Sequence, residues 1–318
     1  MQSATTTTVQ VQASVSARLN RRKGKVKEYL FGYLLILPTF ALTFLFTDIP
    51  LLRTMYDSFF QGSLLGGLKG YVGLHNYTAS LQSGGAMSLF VTLKFTIGFV
   101  VLATLLGLII GLLLNKPIKG ISLFRTAFIV PLVVPIVATG FIWVTLFNPF
   151  FGIVDRILAA VGLPRVDWFN DPHAALVTVI LFSTWQHFGQ NVILFLAALK
   201  GLPKDLLEAA EIDGAGPFKR VKSIVLPLLV PSIALIVVLT TIAALQVFTQ
   251  IYVLTGGGPV GSTTTAAFYI YSQAFTLYNT GTADALATIL FIITIAITIL
   301  QMRVLRRFGA EGHEASNA

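Results

Sequence analysis

Six long apolar runs constrain the fold of this chain more than any other feature of its sequence. Each run is long enough to cross about 30 Å of hydrocarbon as a helix. With 55% hydrophobic and 11% charged residues and a mean hydropathy of +0.81, the 318 residues have too little polar surface for a soluble globule. The sequence therefore predicts an all-α polytopic membrane protein with six transmembrane helices. The predicted spans lie at about 31–52, 86–114, 124–147, 173–199, 224–248 and 284–302.

The Lys and Arg residues are distributed unequally between the two sides that these spans define. Seventeen lie before residue 29, in the second and fourth connections and after the last span, whereas four lie in the alternate connections. Lys94 falls inside the second span. Because positive residues accumulate on the cytoplasmic side, both termini and the connection 200–222 are predicted to be cytoplasmic.

The two ends of the chain are predicted to be tails around a six-span membrane domain of residues 29–303. Residues 1–28 combine a Thr, Ser, Gln and Val stretch with a basic cluster, which predicts a disordered basic cytoplasmic tail. Residues 304–318 are predicted to form a second cytoplasmic tail. The net charge of +9 comes from basic residues beside the spans, where anionic lipid headgroups attract them. The lipid bilayer is thus the predicted partner of this charge, and nucleic acid is not.

Several kinds of chemistry are excluded by the residue types. The chain has no cysteine, which excludes disulfides and thiolate metal sites. The Gly-rich stretch 256–263 lacks the Lys of a phosphate-binding loop, because Ser262 stands there. The four His residues show no metal-binding spacing, and the spans contain no paired carboxylates. We therefore predict no catalytic residue, no metal and no bound cofactor, and we expect any ATP hydrolysis to occur on a separate subunit.

The connection 200–222 concentrates charge, with nine of the chain's 35 Lys, Arg, Asp and Glu residues. A short helix is predicted to begin after Pro203, with Asp205 and Glu208 as a pair resembling a capping box. Gly214 is predicted to end this helix. The alternative is an ordinary solvated loop, since charged loops commonly flank membrane spans.

The spacing within this connection resembles the EAA signature of ABC importer permeases. The matching residues are Glu208, Ala209, Ala210, Gly214, Ile224, Leu226 and Pro227. From about Tyr29 to Arg307 the chain is also similar to carbohydrate-importer permeases, the family of the maltose transporter's membrane subunits. The residues that carry this wider resemblance are Phe124, Arg125, Pro131, Pro135, Trp143, Trp185 and the stretch Leu254–Pro259.

The resemblance implies a type I ABC importer transmembrane domain in the inner membrane of a bacterium or archaeon. The implied function is that of a permease subunit of an ATP-driven sugar importer. Its implied partners are a second homologous permease in a heterodimer, an ABC ATPase dimer that holds ATP and Mg, and an extracytoplasmic sugar-binding protein. The residues expected to couple to the ATPase are Glu208, Ala209, Ala210, Asp213 and Gly214.

In this family the outer loop before the last span faces the binding protein. The corresponding residues of this chain are Gly256, Gly257, Gly258 and Pro259. A purely structural turn is the alternative, because glycine also permits backbone conformations that other residues avoid.

A polar stretch, Ser183 to Asn191, interrupts the fourth apolar run. His187, Gln190 and Asn191 share one helical face, which suits hydrogen bonding to sugar hydroxyls while Trp185 stacks on a sugar ring. The alternative is hydrogen bonding between helices. The resemblance adds the third and fifth spans to this pathway. Those spans contribute the candidates Thr139, Trp143 and Thr240, together with the further polar residues Thr241, Gln246, Thr249 and Gln250.

Two alternatives concern the function itself. An ion-coupled secondary sugar carrier usually places a titratable group near the bilayer midplane. Here Asp48 and Asp284 lie at span ends, which leaves only Lys94 and His187. Glycerol phosphate is an alternative substrate, but the predicted pathway lacks an Arg pair for phosphate, which favours a neutral sugar.

Overall fold

The computed structural model describes residue 29 and residues 31–115 and 120–314, with side chains as far as residue 304 except that of Lys204. The chain divides into two units, residues 1–56 and 57–318. The predicted tail 1–28 lies outside the described residues. In the first unit, helix α1 (Phe31–Asp57) contains one π-helical turn at Phe44–Asp48.

The second unit begins with a small antiparallel hairpin that the all-α prediction omits. Strands β1 (Phe60–Ser63) and β2 (Gly67–Tyr71) pair in a register that sets Phe60 opposite Tyr71. The amide of Asn76 holds this hairpin by donating hydrogen bonds to the carbonyl oxygens of Ser58, at 2.8 Å, and Phe60, at 2.7 Å. The described fold is therefore mostly α-helical with one hairpin.

The core of the second unit forms where α2 (His75–Leu114) packs against α6 (Pro172–Lys200). Small residues on α2 allow this approach: a Cβ on Gly107 would lie 2.6 Å from Cβ of Asn191, and a Cβ on Gly111 would lie 3.0 Å from Cβ of Phe195. Such close helix pairs are typical of membrane proteins. The buried cluster between the helices includes Phe95, Phe99, Ala103, Val179, Phe182, Ala244 and Ile251.

The predicted span 124–147 is two helices and not one. Helix α3 (Ile121–Val133) and helix α4 (Ile136–Leu146) meet at an angle of 99°. Between them Val134 is extended, with ψ of 137°, because Pro135 disfavours helical geometry at the preceding residue. Pro131, in contrast, lies inside α3 without ending it.

The remaining helices complete the unit. Among them, helix α8 (Pro217–Leu245) begins with one α-helical turn, which a π-helical turn at Val221–Val225 follows. The amide of Gln301 in the last helix donates a hydrogen bond of 3.0 Å to the hydroxyl of Thr241 in α8. The last helix continues to Glu314, through much of the predicted tail 304–318. These helices are α5 (Ile153–Ala160), α7 (Lys204–Ile212), α8 (Pro217–Leu245), α9 (Thr249–Leu254), α10 (Ala266–Tyr271) and α11 (Thr280–Glu314), with a π-helical turn at Ser272–Thr276.

Several described helices can cross a membrane. Four of them, α1, α2, α8 and α11, are long and apolar enough, and the bent pair α3–α4 makes a fifth if it is one span. Helix α6 is also long, with 29 residues, but it is not among these apolar helices, because polar residues interrupt its middle. The chain is therefore a multi-pass membrane protein.

Candidate functional site

Helix α6 carries most of the candidate site, and its start is set by Asp171. The Asp171 carboxylate accepts hydrogen bonds from the backbone amides of His173, at 2.9 Å, and Ala174, at 2.8 Å. Pro172 follows at the first helical position, where its missing N–H costs nothing. The amide of Ala174, and then that of His173, holds the pKa of Asp171 below its ordinary value of 3.8. This cap fixes where α6 begins and so the register of its polar middle.

A small cavity of about 40 Å³ lies between α2, α6 and α8. The Thr240 hydroxyl donates a hydrogen bond of 2.7 Å to the carbonyl oxygen of Ile236 in its own helix, and it lies 3.4 Å from Oδ1 of Asn191. The structure thus brings together four of the predicted pathway residues. The cavity lining comprises Phe99, His187, Gln190, Asn191, Leu239, Thr240 and Ala243.

A larger cavity of about 420 Å³ opens at the bend between α3 and α4. His187 lines it as well, and thereby joins the two cavities. The His187 ring is held edge-on to Phe99, with centroids 5.7 Å apart, and its Nδ1 lies 3.2 Å from the carbonyl oxygen of Ser183. The lining of this cavity comprises residues 132–136, Gln186, His187, Thr249 and Gln250.

Gln186 is a site residue that the sequence reasoning did not select. It lies four residues before Gln190, so the helical period alone places it on a neighbouring part of the same face. Thr249 and Gln250, two of the further polar residues that the sequence adds to the pathway, line the same cavity. The bend at Pro135 opens the space that all three line, and this bend is a tertiary feature.

The buried polar atoms of α6 are mostly unpaired. Four of them have no hydrogen-bond partner among the described residues: Oγ of Ser183, Oγ1 of Thr184, Oε1 of Gln186 and Nδ2 of Asn191. An unpaired buried polar group costs about 1–3 kcal/mol. Bonding between helices therefore accounts for only a part of this polar stretch, and the remaining donors and acceptors are free to meet a ligand, water or a partner chain.

Trp143 and Trp185 lie in an aromatic cluster and not at the cavities. The Trp143 ring stacks on Phe147 with centroids 4.6 Å apart, and it lies 5.6 Å from the Trp185 ring. Thr139 is buried, and its hydroxyl donates to the backbone carbonyl oxygens of Pro135 and Ile136. Trp143 and Trp185 thus join α4 to α6, whereas the Thr139 hydroxyl bonds at the start of its own helix.

Helix α7 is the short helix predicted around the EAA residues, with a different start. Its N-cap is Pro203, without a side-chain cap, so the predicted capping role of Asp205 is wrong. Its end matches the prediction: Gly214 has φ of +74°, and the amides of Gly214 and Ala215 bond to the carbonyl oxygens of Glu211 and Ala210. This pair of bonds is a Schellman motif, which requires the left-handed conformation that glycine adopts readily. Asp213 is the C-cap residue.

One side of α7 is anchored and the other is exposed. Leu207 packs on a buried cluster of Leu199 from α6 with Val225 and Leu229 from α8. Ala210 is buried, whereas Glu208 and Ala209 are exposed. The Arg220 guanidinium forms an ion pair of 2.9 Å with Glu211, but Glu208 has no ion-pair partner among the described side chains. The Leu207 contact thus links α7, which carries Glu208, to α6 and α8, two of the helices that line the small cavity.

The loop that contains Gly256 to Pro259 is held by its own hydrogen bonds. The Thr263 hydroxyl donates to the Gly258 carbonyl oxygen at 2.7 Å, and the Thr264 hydroxyl donates to the Gly257 carbonyl oxygen at 2.9 Å. Gly257 has φ of +84°, and a Cβ there would lie 2.6 Å from the Phe268 ring. The loop is therefore well ordered, and at its tip Val260 is 98% exposed.

Comparison with known proteins gives the chain its family. Residues 103–309, which include α6, α7 and α8, match the family of binding-protein-dependent transport system inner membrane components. The chain is 36% identical over 283 residues to the trehalose/maltose transport system permease protein MalF of Thermococcus litoralis, covering 89% of this chain and 96% of the relative. It is 34% identical to the sn-glycerol-3-phosphate transport system permease protein UgpA of Agrobacterium fabrum, covering 87% and 95%.

Solved structures show the same fold. A chain of a bacterial ABC transporter involved in the import of the acidic polysaccharide alginate superposes with a TM-score of 0.79 at 23% identity, covering 90% of this chain and 99% of that one. A chain of the MetNI methionine ABC transporter superposes with a TM-score of 0.51 at 21% identity, covering 70% and 95%. The fold is thus that of ABC importer transmembrane domains. With the match over residues 103–309, the chain belongs to the family of binding-protein-dependent transport system inner membrane components.

Proposed function

We propose that this chain is the permease subunit of an ATP-driven sugar importer. It crosses the membrane with six helices: the described spans α1, α2, α8 and α11, the bent pair α3–α4, and α6. Both termini and α7 are cytoplasmic, in agreement with the accumulation of Lys and Arg on that side. The observation that carries the proposal is that α7, exposed on one side, is packed through Leu207 against the helices that line the polar cavities.

Coupling to ATP follows from this arrangement. A separate ABC ATPase dimer, which holds ATP and Mg, docks on α7, and Glu208 pairs with an arginine of that ATPase. Closure of the dimer displaces α7, and Leu207 transmits the displacement to Leu199 and Leu229 because buried side chains are close-packed. Helices α6 and α8 then shift between two states that open the pathway to opposite sides.

The substrate is a neutral sugar. The two cavities on α6 present amides, hydroxyls and an imidazole, and their linings contain no Lys, Arg, Asp or Glu among the described residues. These groups suit sugar hydroxyls, which both donate and accept hydrogen bonds. A phosphate ester would favour an arginine or lysine at the site. The trehalose/maltose relative agrees with this class of substrate.

Two further protein partners complete the importer. A second homologous permease forms the other half of the pathway and meets the polar face of α6. An extracytoplasmic sugar-binding protein delivers the substrate to the outer loop around Gly257 and Pro259. The structure of the alginate transporter in complex with a periplasmic protein bound to alginate pentasaccharide supports this second partner.

Reconstitution into vesicles tests the proposal. The chain, isolated with its accompanying subunits, should import maltose or trehalose only when ATP and the binding protein are both present. Uptake should be unchanged when ionophores collapse proton and sodium gradients. A chain that emerges alone, or uptake that follows an ion gradient without ATP, would establish the ion-coupled carrier instead.

The substrate class has its own test, which does not depend on reconstitution. The co-isolated binding protein is titrated with trehalose, maltose and sn-glycerol 3-phosphate by calorimetry. Saturable binding of a neutral sugar supports the assignment. Binding of sn-glycerol 3-phosphate alone would replace the sugar by the substrate of the UgpA relative.

A further inference from the structure

A third pocket, besides the two cavities, has no place in the proposed pathway. It has a volume of about 320 Å³ and lies between α3 and α6, at the end of α6 that leads into α7. Two of its lining residues are the cations Arg125 and Lys200, and no carboxylate lines it. The other lining residues are Ile129, Val192, Ile193, Leu196 and Ala197.

The apolar part of this pocket continues along α3. A second apolar pocket, of about 470 Å³, shares Ile129 with the first and reaches Val133 and Pro135. From Arg125 to Pro135 the rise of about 1.5 Å per residue gives a length of about 15 Å. This length is about half of a hydrocarbon core about 30 Å thick. The two pockets together form a groove, Arg125–Pro135. The length of this groove matches the hydrocarbon thickness of one membrane leaflet.

The cationic end of this groove is incompletely paired. The Arg125 guanidinium donates one hydrogen bond of 3.1 Å, from Nη2 to the Leu114 carbonyl oxygen, and its buried Nε has no partner among the described residues. Lys200 is exposed beside it and forms no ion pair with a described side chain. Two cations without a local carboxylate favour an anion at this end.

We propose that the groove Arg125–Pro135 binds one anionic phospholipid, with its phosphate at Arg125 and Lys200 and an acyl chain along Ile129 and Ile193. Basic pockets between membrane helices are suited to acidic headgroups. The groove meets the polar cavity around Gln186 and His187 at Val133 and Pro135, which line both. Its cationic end, with Ile129 and Ile193, lies outside that cavity and is otherwise apolar. The lipid seals the contact of α3 with α6 next to α7, so anionic lipid stabilises the position of α6, one of the two helices that α7 moves in the proposed function.

Lipid retention tests this site directly and without a transport assay. The full-length chain, purified with its accompanying subunits, is exchanged into nanodiscs of phosphatidylglycerol and phosphatidylcholine, and the lipid that stays bound in mild detergent is counted by native mass spectrometry. Phosphatidylglycerol should be retained preferentially. Each of Arg125→Gln and Lys200→Gln should lower its retention about fivefold. The matched control Arg303→Gln, on the exposed end of α11, should retain it fully.

Two more variants keep the test decisive if Arg125→Gln does not fold. Ile193→Trp, at a position 41% exposed, should displace the lipid by filling the groove without a change of charge. Ile129→Cys introduces the chain's only cysteine, which should react with a lipid-soluble maleimide and not with a charged one. Equal retention of the two lipids, retention unaffected by Lys200→Gln and Ile193→Trp, or labelling of Ile129→Cys by the charged reagent would overturn the proposal. Protection of that cysteine from the lipid-soluble reagent that persists in the assembled complex after the bound phospholipid has been removed would also overturn it and make the groove a protein interface.

Discussion

The hydroxyl of Thr240 lies 3.4 Å from Oδ1 of Asn191, across the contact of α8 with α6. The other half of the same amide, Nδ2, is buried without a partner among the described residues. Among the described residues, only the oxygen of the Asn191 amide thus has a hydrogen-bond partner. The Asn191 side chain is 5% exposed and lies beside the cavity that Gln190 and His187 line. A side chain kept only to join two helices would be fully bonded, so this arrangement favours a role in recognition.

Replacement of Asn191 by Leu separates recognition from stability. The variant removes an unpaired buried amide, so its thermal stability should be unchanged or higher. Sugar uptake should fall about tenfold, the effect of one or two lost hydrogen bonds to substrate. Thr294→Val is the control, since the Thr294 hydroxyl donates to Leu290 in its own helix and lies outside the two cavities. Parallel loss of stability and uptake in Asn191→Leu would assign Asn191 to helix packing.

The two glutamates of α7 should behave differently although they lie three residues apart. Glu211 forms an exposed ion pair with Arg220, which is worth no more than about 1 kcal/mol, so Glu211→Gln should leave uptake almost unchanged. Glu208 has no such partner among the described side chains, and Glu208→Gln should weaken co-purification of the ATPase and lower uptake about tenfold. Both variants carry the same change of charge. Equal effects in uptake and co-purification would contradict the role of Glu208.

Gly214 is required for its backbone conformation and not for space. Its φ is +74°, and a Cβ there would meet nothing within 4 Å. Gly214→Leu should therefore strain the turn by about 1–2 kcal/mol and uncouple ATP hydrolysis from uptake, while the complex still assembles. Gly214→Asn should retain most of the uptake, because Asn tolerates the left-handed conformation.

Gly216 provides the matched control for this turn. A Cβ there also meets nothing within 4 Å, but its φ of −62° is ordinary. Gly216→Ala should therefore transport normally. Normal ATP-dependent uptake by an assembled Gly214→Leu complex would show that α7 does not need this turn for coupling.

Gly189 is required for space, in contrast to Gly214. A Cβ on Gly189 would overlap the backbone carbonyl oxygen of Phe128, because α6 and α3 approach closely there. Gly189→Ala should lower the free energy of unfolding by about 1–3 kcal/mol, measured by thermal unfolding in detergent. Gly32→Ala in α1 meets no atom within 4 Å and should be neutral or stabilising, since alanine favours helix. Equal stability of the two variants would show that α3 moves away at no cost.

The cap of α6 predicts a dependence of stability on pH. Because the native pKa of Asp171 is lowered from 3.8, its contribution is fully present above that value and is lost as pH falls through the lowered pKa. Asp171→Asn keeps a capping side chain that does not titrate. Thermal unfolding between about pH 3 and pH 7 should show that the wild-type chain loses stability relative to Asp171→Asn only at the acidic end. A difference that stays constant over this range would exclude the carboxylate as its source.

The broken third span shows where sequence reasoning stops. Pro135 disfavours a helical conformation at Val134, which is a local effect and can be read from the chain. The angle of 99° depends on what α3 and α4 pack against: Gly189 admits the backbone of α3, and Trp143 joins α4 to α6. The larger cavity, which Gln186 lines, opens at this bend. The helical period places Gln186 beside Gln190, but it does not show that a cavity lies there.

The sequence by itself determined the membrane class, the family, the polar face of α6 and the glycine turn at Gly214. These properties depend on hydropathy, on residue spacing and on the φ that one residue prefers. Each of the three can be read from a short segment of the chain without knowing which distant residues it contacts. The tertiary structure alone decided that His187 joins two cavities, that Trp143 and Trp185 pack in a cluster, and that Leu207 ties α7 to α6 and α8. In each case residues of different helices meet, and close packing of complementary side chains selects such partners.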